Sequence, residues 1–372
     1  MPASTSIDSS AQASFWTRAQ VTEEDRLACL DAILHHYSGY QIEEHEHQGF
    51  CSYTWLLSPQ TTAGQAGKQL IVQVRPKRHK LRLELARAAR EVYGGVAPEV
   101  RAVDVWLPGG LIGFEMGRVG GTALAILLQR DNVVGEDRRA KRRTMVTSFA
   151  RLVARSWPGR KVKGRRDSVV HFSSLSPSSG DSGTVLALCT GRVGVQIVVK
   201  LAKLAKELPD RWLRARAQDV LEKIQEVDDY PVVLNHGDLI PSNILVDKDT
   251  WSITGLVDWA EAEFLPFGTC LYGLEHLLGT LYLTSHLNDG SSRPIWVYDD
   301  DAEQLRQLFY DTLMSLVPEV RDRQEELWLI RDMGIFLWHG YAFDDGAIDR
   351  VVDEVNDGEE LAKLRAMLSV RR

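Results

Sequence analysis

Cysteine is scarce in this chain of 372 residues: Cys29, Cys51, Cys189 and Cys270 are the four, and none stands in a CxxC spacing. That excludes a disulfide framework or a cysteine-based zinc site, and it implies reduced, buried thiols and a cytoplasmic compartment. Long apolar runs are missing as well; none approaches the roughly 20 residues that a membrane span requires. The N-terminal stretch MPASTSIDSSAQASFW is rich in Ser and Ala and has neither an apolar segment nor early arginines. No secretory signal or transit peptide is expected there, and residues 1–20 read as a disordered tail. Basic charge is not in excess either, since 44 Lys and Arg against 51 Asp and Glu give a net charge of -7. That balance argues against nucleic acid or an anionic membrane as the partner. No internal repeat is found. Hydrophobic residues at 44% and charged residues at 26% are ordinary for a globular protein, and the length suits two lobes better than one core.

The pattern changes along the chain. VTEEDRLACLDAILHHY (21–37) carries Leu27, Leu30, Ile33 and Leu34 at helical spacing behind an acidic start. GFCSYTWLLS (49–58) and KQLIVQVRP (68–76) read as strands separated by a Thr/Gly-rich turn. LRLELARAAREVYGG reads as a helix with Leu81, Leu85, Ala88 and Val92 on one stripe, and VRAVDVWL and GLIGFEMGRV as two more strands. Together these describe a small α+β lobe. From Gly121 onward the apolar period is mostly near 3.6, which predicts helices in TALAILLQR, RRTMVTSFARLVARSW, the long run 198–227, CLYGLEHLLGTLYL, DAEQLRQLFYDTLMSLV, EELWLIRDMGIFLWHGYAF and the charged C-terminus. Residues 158–184, with GRKVKGRRD and SSLSPSSGDSG, have the composition of a flexible insertion.

Strand character returns around NHGDLIPSNILVD (235–247). The segment H-G-D-L-I-P-S-N has the H-x-D-x4-N spacing of a kinase catalytic loop. Phosphoryl transfer needs metal ions on the phosphate oxygens, a carboxylate to orient and deprotonate the acceptor hydroxyl, and cations over the phosphates. Asp238 is the candidate acceptor-side base and Asn243 a candidate metal ligand. Apolar ILV then leads into a turn at DKDTW and back through SITGLVDWA, which ends on Asp258, a second hard oxygen ligand for Mg²⁺. Turn capping alone accounts for an isolated Asp and Asn; the two following apolar strands and terminal Asp make the pattern specific. His236 reads as a buried support for the loop rather than a proton carrier.

This layout resembles the aminoglycoside phosphotransferase / choline kinase family of small-molecule kinases, which shares the protein-kinase fold. GLVDWAEAEFLPFGTCLYGLEHLLG is similar to the branch abundant in filamentous fungi, and QGFCSYTWLL, IVQVRP and FEMGRVGGTAL extend the likeness over roughly residues 45–280. The resemblance implies a two-lobed α+β fold: a β-rich nucleotide-binding lobe at 21–119, and a larger helical lobe at 120–372 with the catalytic loop and acceptor site.

The resemblance also implies roles in the small lobe. HQGFCSYTW takes the place of the nucleotide-covering loop, where Gly49 permits a tight turn and Ser52 with backbone amides meets phosphate oxygens. FEMGRV takes the place of the hinge, with backbone groups of Glu115, Met116, Gly117 and Val119 on the adenine edge. The family's third-strand lysine is absent. Register puts Gln73 or Arg75 there with Lys77 just beyond, and Arg75 with Glu91 as helix partner has the family's spacing, Glu84 being the other acid on that flank. On the acceptor side Glu261 and Glu263 are candidates, whereas Trp338, Tyr341 and Phe343 read as core and Asp344 and Asp345 as a solvated helix end.

The expected activity is ATP- and Mg²⁺-dependent transfer of the γ-phosphoryl group to a small-molecule hydroxyl. A protein kinase is disfavoured, since H-R-D, D-F-G and A-P-E are all absent. The missing lysine motivates a nucleotide-binding pseudoenzyme as the alternative. A third reading is an ATP-using enzyme with a transient phosphorylated intermediate. The acceptor, the choice of ATP over GTP and the oligomeric state are not encoded legibly.

Overall fold

The computed structural model describes residues 15–46, 48–60, 67–130, 136–158, 184–284, 293–344 and 348–370. The chain divides into two units, residues 1–120 with 255–260, and residues 121–254 with 261–372. The expected α+β class holds: the first unit is β-rich and the second mainly helical.

In the first unit, helix α1 (Glu23–His36) starts at Thr22, whose hydroxyl accepts the Asp25 N–H at 3.1 Å. Three acids in its first turn suit the positive end of the helix dipole. The sheet is antiparallel in the order β1-β2-β3-β5-β4, built from Tyr40–Glu44, Tyr53–Pro59, Leu70–Pro76, Leu111–Gly117 and Val100–Ala102. Side chains alternate, so Tyr53, Trp55 and Leu57 of β2 and Leu70, Val72 and Val74 of β3 point into one core with Cys29, Ile33 and Tyr37 of α1. Helix α2 (Leu83–Tyr93) follows β3, buries Leu85, Ala88 and Ala89, and stops before Gly94. Strand β1 escapes a sequence reading because its five residues YQIEE are short and half charged. The strand expected over 100–107 spans three residues only.

The tail expected at 1–20 needs correction over its described part. Phe15 and Trp16 belong to the core cluster, with Trp16 4.8 Å from the Tyr53 ring. Two large aromatic side chains at the end of a Ser/Ala-rich stretch outweigh its composition, because burying them removes a large apolar area from water.

The second unit contains β6 (Thr122–Ala123), α3 (Leu124–Arg130), α4 (Glu136–Val153), α5 (Ile197–Glu207), α6 (Arg211–Ile224), β7 (Val232–Asn235), β8 (Ile244–Val246), β10 (Glu263–Pro266), α7 (Tyr272–Leu278), β11 (Gly279–Thr284), β12 (Arg293–Tyr298), α8 (Ala302–Leu316), α9 (Gln324–His339) and α10 (Gly358–Ser369); β9 (Ile253–Leu256) is the strand by which the chain passes into the 255–260 segment. Pro209 separates α5 from α6 within the run read as one helical stretch. The helix expected over CLYGLEHLLGTLYL is corrected: it ends at Leu278, and Gly279–Thr284 pairs antiparallel with β12. Gly279 interrupts the helical run, and the Thr- and Tyr-containing TLYLT that follows favours a strand. The stretch read as a flexible insertion falls, at 159–183, outside the described residues.

A buried ion network ties the helices together. Glu275 of α7 meets Arg306 at 2.9 Å and Arg331 at 2.7 Å, and Asp332 meets Arg331 at 2.8 Å and Arg216 at 2.5 Å. Burial alone would raise the Glu275 carboxyl, but the two arginines overcome it and hold it below the usual carboxylate value.

Candidate active site

The loop after β7 is fixed at both ends. Asn235, the last residue of β7, donates its amide nitrogen to Val233 O and Leu265 O at 3.0 Å each, while its Oδ1 accepts the Cys270 N–H at 3.1 Å. Buried His236 accepts the Asp238 N–H on Nδ1 at 3.3 Å, in keeping with a supporting role. Gly237 turns the chain with φ of +81°, and a Cβ there would lie 2.0 Å from Glu261 O. Asp238 and Asn243 are both half-buried. A 3-10 turn, Pro241–Asn243, brings Asn243 back so that its Nδ2 donates to Asp238 O at 2.9 Å and to Asp238 Oδ2 at 2.8 Å. Beyond Asn243 the chain runs into β8, and Asp247 closes the next turn by accepting the Asp249 and Thr250 N–H groups and the Thr250 hydroxyl. The chain then passes through β9 to Asp258.

Asp258 is assigned to the first unit, with Arg75. Arg75 is buried on β3 and places Nη2 3.6 Å from Asp258 Oδ1, while the Asp258 side chain is about half exposed. Gln73, two residues earlier on the same face of β3, accepts Arg75 Nε and Nη2 on its Oε1 at 3.2 and 3.1 Å, and donates to the Thr54 hydroxyl at 3.2 Å. Gln73 thus supports the arginine rather than replacing it. Asp258 has φ of +60°, a conformation costly for a residue with a Cβ and found where function holds a backbone in place. Trp259 anchors that conformation: it packs 5.0 Å from the Tyr93 ring and donates its indole N–H to Leu256 O at 3.0 Å.

Other expected contacts take different forms. Glu91 is exposed on α2, and among the described residues no ion pair joins it to Arg75, whose carboxylate partner is Asp258. The helix buries the stripe of Leu85, Ala88 and Ala89, and Glu91 lies outside it. Ser52 is buried. At the hinge, the Glu115 carboxylate is occupied by the Tyr37 hydroxyl at 2.8 Å and by Arg101 at 2.6 Å. Glu115 and Met116 lie in register with β3 and β4 on either side, and the Gly117 N–H bonds Glu99 O at 3.0 Å. Their backbone groups serve the sheet, whereas Val119 lies beyond it.

On the expected acceptor side, Glu263 is buried and accepts the backbone N–H groups of Arg192, Val193 and Gly194, which makes it a cap for that short helical turn. Glu261 is exposed. Tyr341 is core, with Lys200 Nζ 3.9 Å from its ring centroid, and Phe343 is exposed. Asp344 pairs with Arg350 at 2.8 Å, and Asp345 lies outside the described residues. Trp338 stacks flat on Tyr272 with ring centroids 4.9 Å apart and planes 4° apart. Sequence reasoning missed Tyr272, which stands in no recognisable spacing, and named Gln73 only as an alternative to Arg75 at the lysine position; their hydrogen bonds reveal both parts.

Oxygen donors for a divalent cation are available. In the second unit Asn243, with its Nδ2 on Asp238, carries an amide oxygen, and in the first unit Asp258 carries a half-exposed carboxylate. An amide oxygen and a carboxylate are the hard donors that Mg²⁺ takes.

Comparison with known proteins gives one family match: the phosphotransferase enzyme family, over residues 195–268. No curated protein sequence matches the chain. Among solved structures, a putative aminoglycoside phosphotransferase from Ralstonia eutropha is similar at 14% identity, with 91% of this chain and 93% of that one covered and a TM-score of 0.49. Aminoglycoside phosphotransferase APH(3'')-Id from Streptomyces rimosus, in complex with ADP and streptomycin, is 15% identical over 83% of this chain and 98% of that one, at a TM-score of 0.40. An aminoglycoside-3'-phosphotransferase of type VIII is 16% identical over 84% and 100% of the two chains, at 0.43. The family match falls on the segment that carries Asp238, Asn243 and Asp258, and over that segment the chain is similar to the phosphotransferase enzyme family.

Proposed function

We propose that this protein is an ATP- and Mg²⁺-dependent phosphotransferase that moves the γ-phosphoryl group of ATP to a hydroxyl of a small molecule. The observation that carries the reading is the pair of hydrogen bonds from Asn243 to Asp238. It fixes the Asp238 carboxylate against the amide group of Asn243. Asp238 orients the acceptor hydroxyl and takes its proton as the acceptor oxygen attacks the γ-phosphorus; the bond to the bridging oxygen breaks and ADP leaves. Asn243 and Asp258 are the proposed holders of Mg²⁺, which when bound would neutralise phosphate charge. Arg75, steadied by Gln73, is the proposed cation for the α- and β-phosphates, and a planar guanidinium suits bidentate phosphate contact. Adenine recognition would draw on the stretch around Val119, since the preceding residues serve the sheet.

One observation favours the alternative of a nucleotide-binding protein without turnover. Arg75 pairs with Asp258, a proposed metal ligand, rather than with an acid of α2. A single experiment separates the readings: thermal stabilisation by ATP with and without Mg²⁺, for wild type and Asp258→Ala. At ligand about one hundred times its dissociation constant, binding stabilises the fold by roughly 2.7 kcal/mol. A Mg²⁺-dependent shift that Asp258→Ala abolishes supports the phosphotransferase. A shift indifferent to Mg²⁺ and to Asp258 favours the non-catalytic binder, and no shift at millimolar ATP with folded protein overturns both.

A further inference from the structure

We infer that Tyr272 is a positioning residue for the catalytic loop, holding Asp238 in place from the following helix through the Leu239 amide; this rests on the assignment of Asp238 as the acceptor-side base. The bonds inside the loop are local. Asp238 N–H goes to His236, Ile240 N–H to Asp238 O at 3.2 Å, and Asn243 N–H to Ile240 O at 3.0 Å. Such bonds shape the turn from within. Tyr272, at the start of α7, reaches the loop from outside: its phenol oxygen accepts the Leu239 N–H at 2.9 Å, one residue after the base.

The surroundings are built for this contact. The next residue, Gly273, lets the helix lie directly on the loop, since a Cβ there would sit 2.9 Å from Leu239 O and 3.0 Å from the Leu239 side chain. On the other side the flat stack with Trp338 of α9 fixes the plane of the ring, which is itself buried. Burial, and then the negative charge of Asp238, hold the phenol well above its ordinary value against the lowering effect of the Leu239 bond. Tyr272 therefore stays protonated and neutral at physiological pH, an uncharged acceptor that does not repel the catalytic carboxylate. A carboxylate in its place would set a second negative charge beside Asp238 and raise the proton affinity of the base.

The test is Tyr272→Phe, which keeps the ring and its stack and removes only the oxygen. Three quantities are compared with wild type: hydrogen exchange over residues 236–243, the dissociation constant of Mg²⁺–ATP, and kcat for ATP hydrolysis with water as acceptor. Tyr298→Phe, which also loses a hydroxyl in a half-buried contact (here bonded to Glu275 at 2.9 Å), is the control for a merely structural cost. The expectation for Tyr272→Phe is exchange about tenfold faster at Leu239, kcat about tenfold lower and an unchanged nucleotide dissociation constant, which is about 1.4 kcal/mol of lost positioning. Tyr298→Phe should leave all three within twofold. Faster exchange with unchanged kcat would make Tyr272 a structural residue only and overturn the inference, as would unchanged exchange with any change in rate. If wild type binds Mg²⁺–ATP but transfers its phosphoryl group neither to water nor to any hydroxyl acceptor supplied, the phosphotransferase reading fails on its own and takes the catalytic part of the positioning role with it. In that case the exchange data still report whether Tyr272 holds the loop.

Discussion

Gly237 and Asp258 show how much of the candidate site is decided by single residues. Gly237 has the positive φ that a side chain resists, and it lies so close to the Glu261 backbone that no Cβ fits. Gly237→Ala is expected to destabilise the protein by about 2–4 kcal/mol, the sum of overpacking and backbone strain, measured as a lower urea midpoint with unchanged slope. A smaller loss, under about 0.5 kcal/mol, would mean that the loop shifts without cost and that its geometry is soft. Asp258 carries the same kind of strain with its side chain retained, and the neighbouring Trp259 contacts supply the compensation.

At the scale of elements, short segments proved decisive where composition was a poor guide. Residues 15–18 form a single helical turn, yet Phe15 and Trp16 reach the core formed by β2, β3 and α1. Arg18 continues the attachment: its guanidinium lies 4.3 Å from the Phe50 ring centroid and bonds Phe50 O at 3.2 Å, in the loop expected to cover the nucleotide. Trp16→Ala is expected to cost about 3–5 kcal/mol of stability, readable in chemical denaturation. An unchanged midpoint would restore the tail reading. The hairpin of β11 and β12 teaches the same lesson from the other side. LLGTLYL keeps a helical spacing of leucines, but pairing with Arg293–Tyr298 wins once Gly279 has ended the helix.

At the scale of the whole molecule, acid stability follows from two buried imidazoles. His276 is held well below its ordinary value by burial first and then by His339 and Lys363, with Glu360 opposing. His339 is also lowered, chiefly by burial, although its Nδ1 lies 2.5 Å from Glu360. Their rings stand 5.1 Å apart, and Tyr272 and Trp296 also pack on His276. Unfolded, each imidazole titrates near about pH 6.5. Below that value the unfolded chain takes up protons that the folded chain refuses, so stability is complete above about pH 6.5 and falls as pH falls. Tm measured from pH 8 to pH 5.5 should therefore decline toward acid, and His276→Leu should flatten the decline. A Tm that rises toward pH 5.5 would show that the histidines are charged in the folded state. Glu360, held at about 2 in spite of burial by His339 and Lys363, adds an acid-side loss of its own below the ordinary carboxylate range.

The sequence by itself determined the class of the fold and marked the segment that carries the candidate site. Apolar alternation of period two marks β2, β3 and β5, the 3.6 period marks most helices, and H-x-D-x4-N followed by two strands and an Asp is a local pattern that backbone geometry can satisfy without distant partners. Only tertiary structure decided which groups those residues meet. Arg75 was legible as a cation on β3, but its choice of Asp258 over Glu91 depends on which face of α2 is buried. Glu263 and Glu115 look like available carboxylates in the sequence, and the fold commits one to backbone amides and the other to Tyr37 and Arg101. Tyr272, 33 residues beyond Leu239 in sequence, becomes its partner only when α7 packs on the loop. Period and spacing are properties of neighbouring residues along the chain; hydrogen-bond partners separated by dozens of residues are fixed by packing, and packing has no local signature.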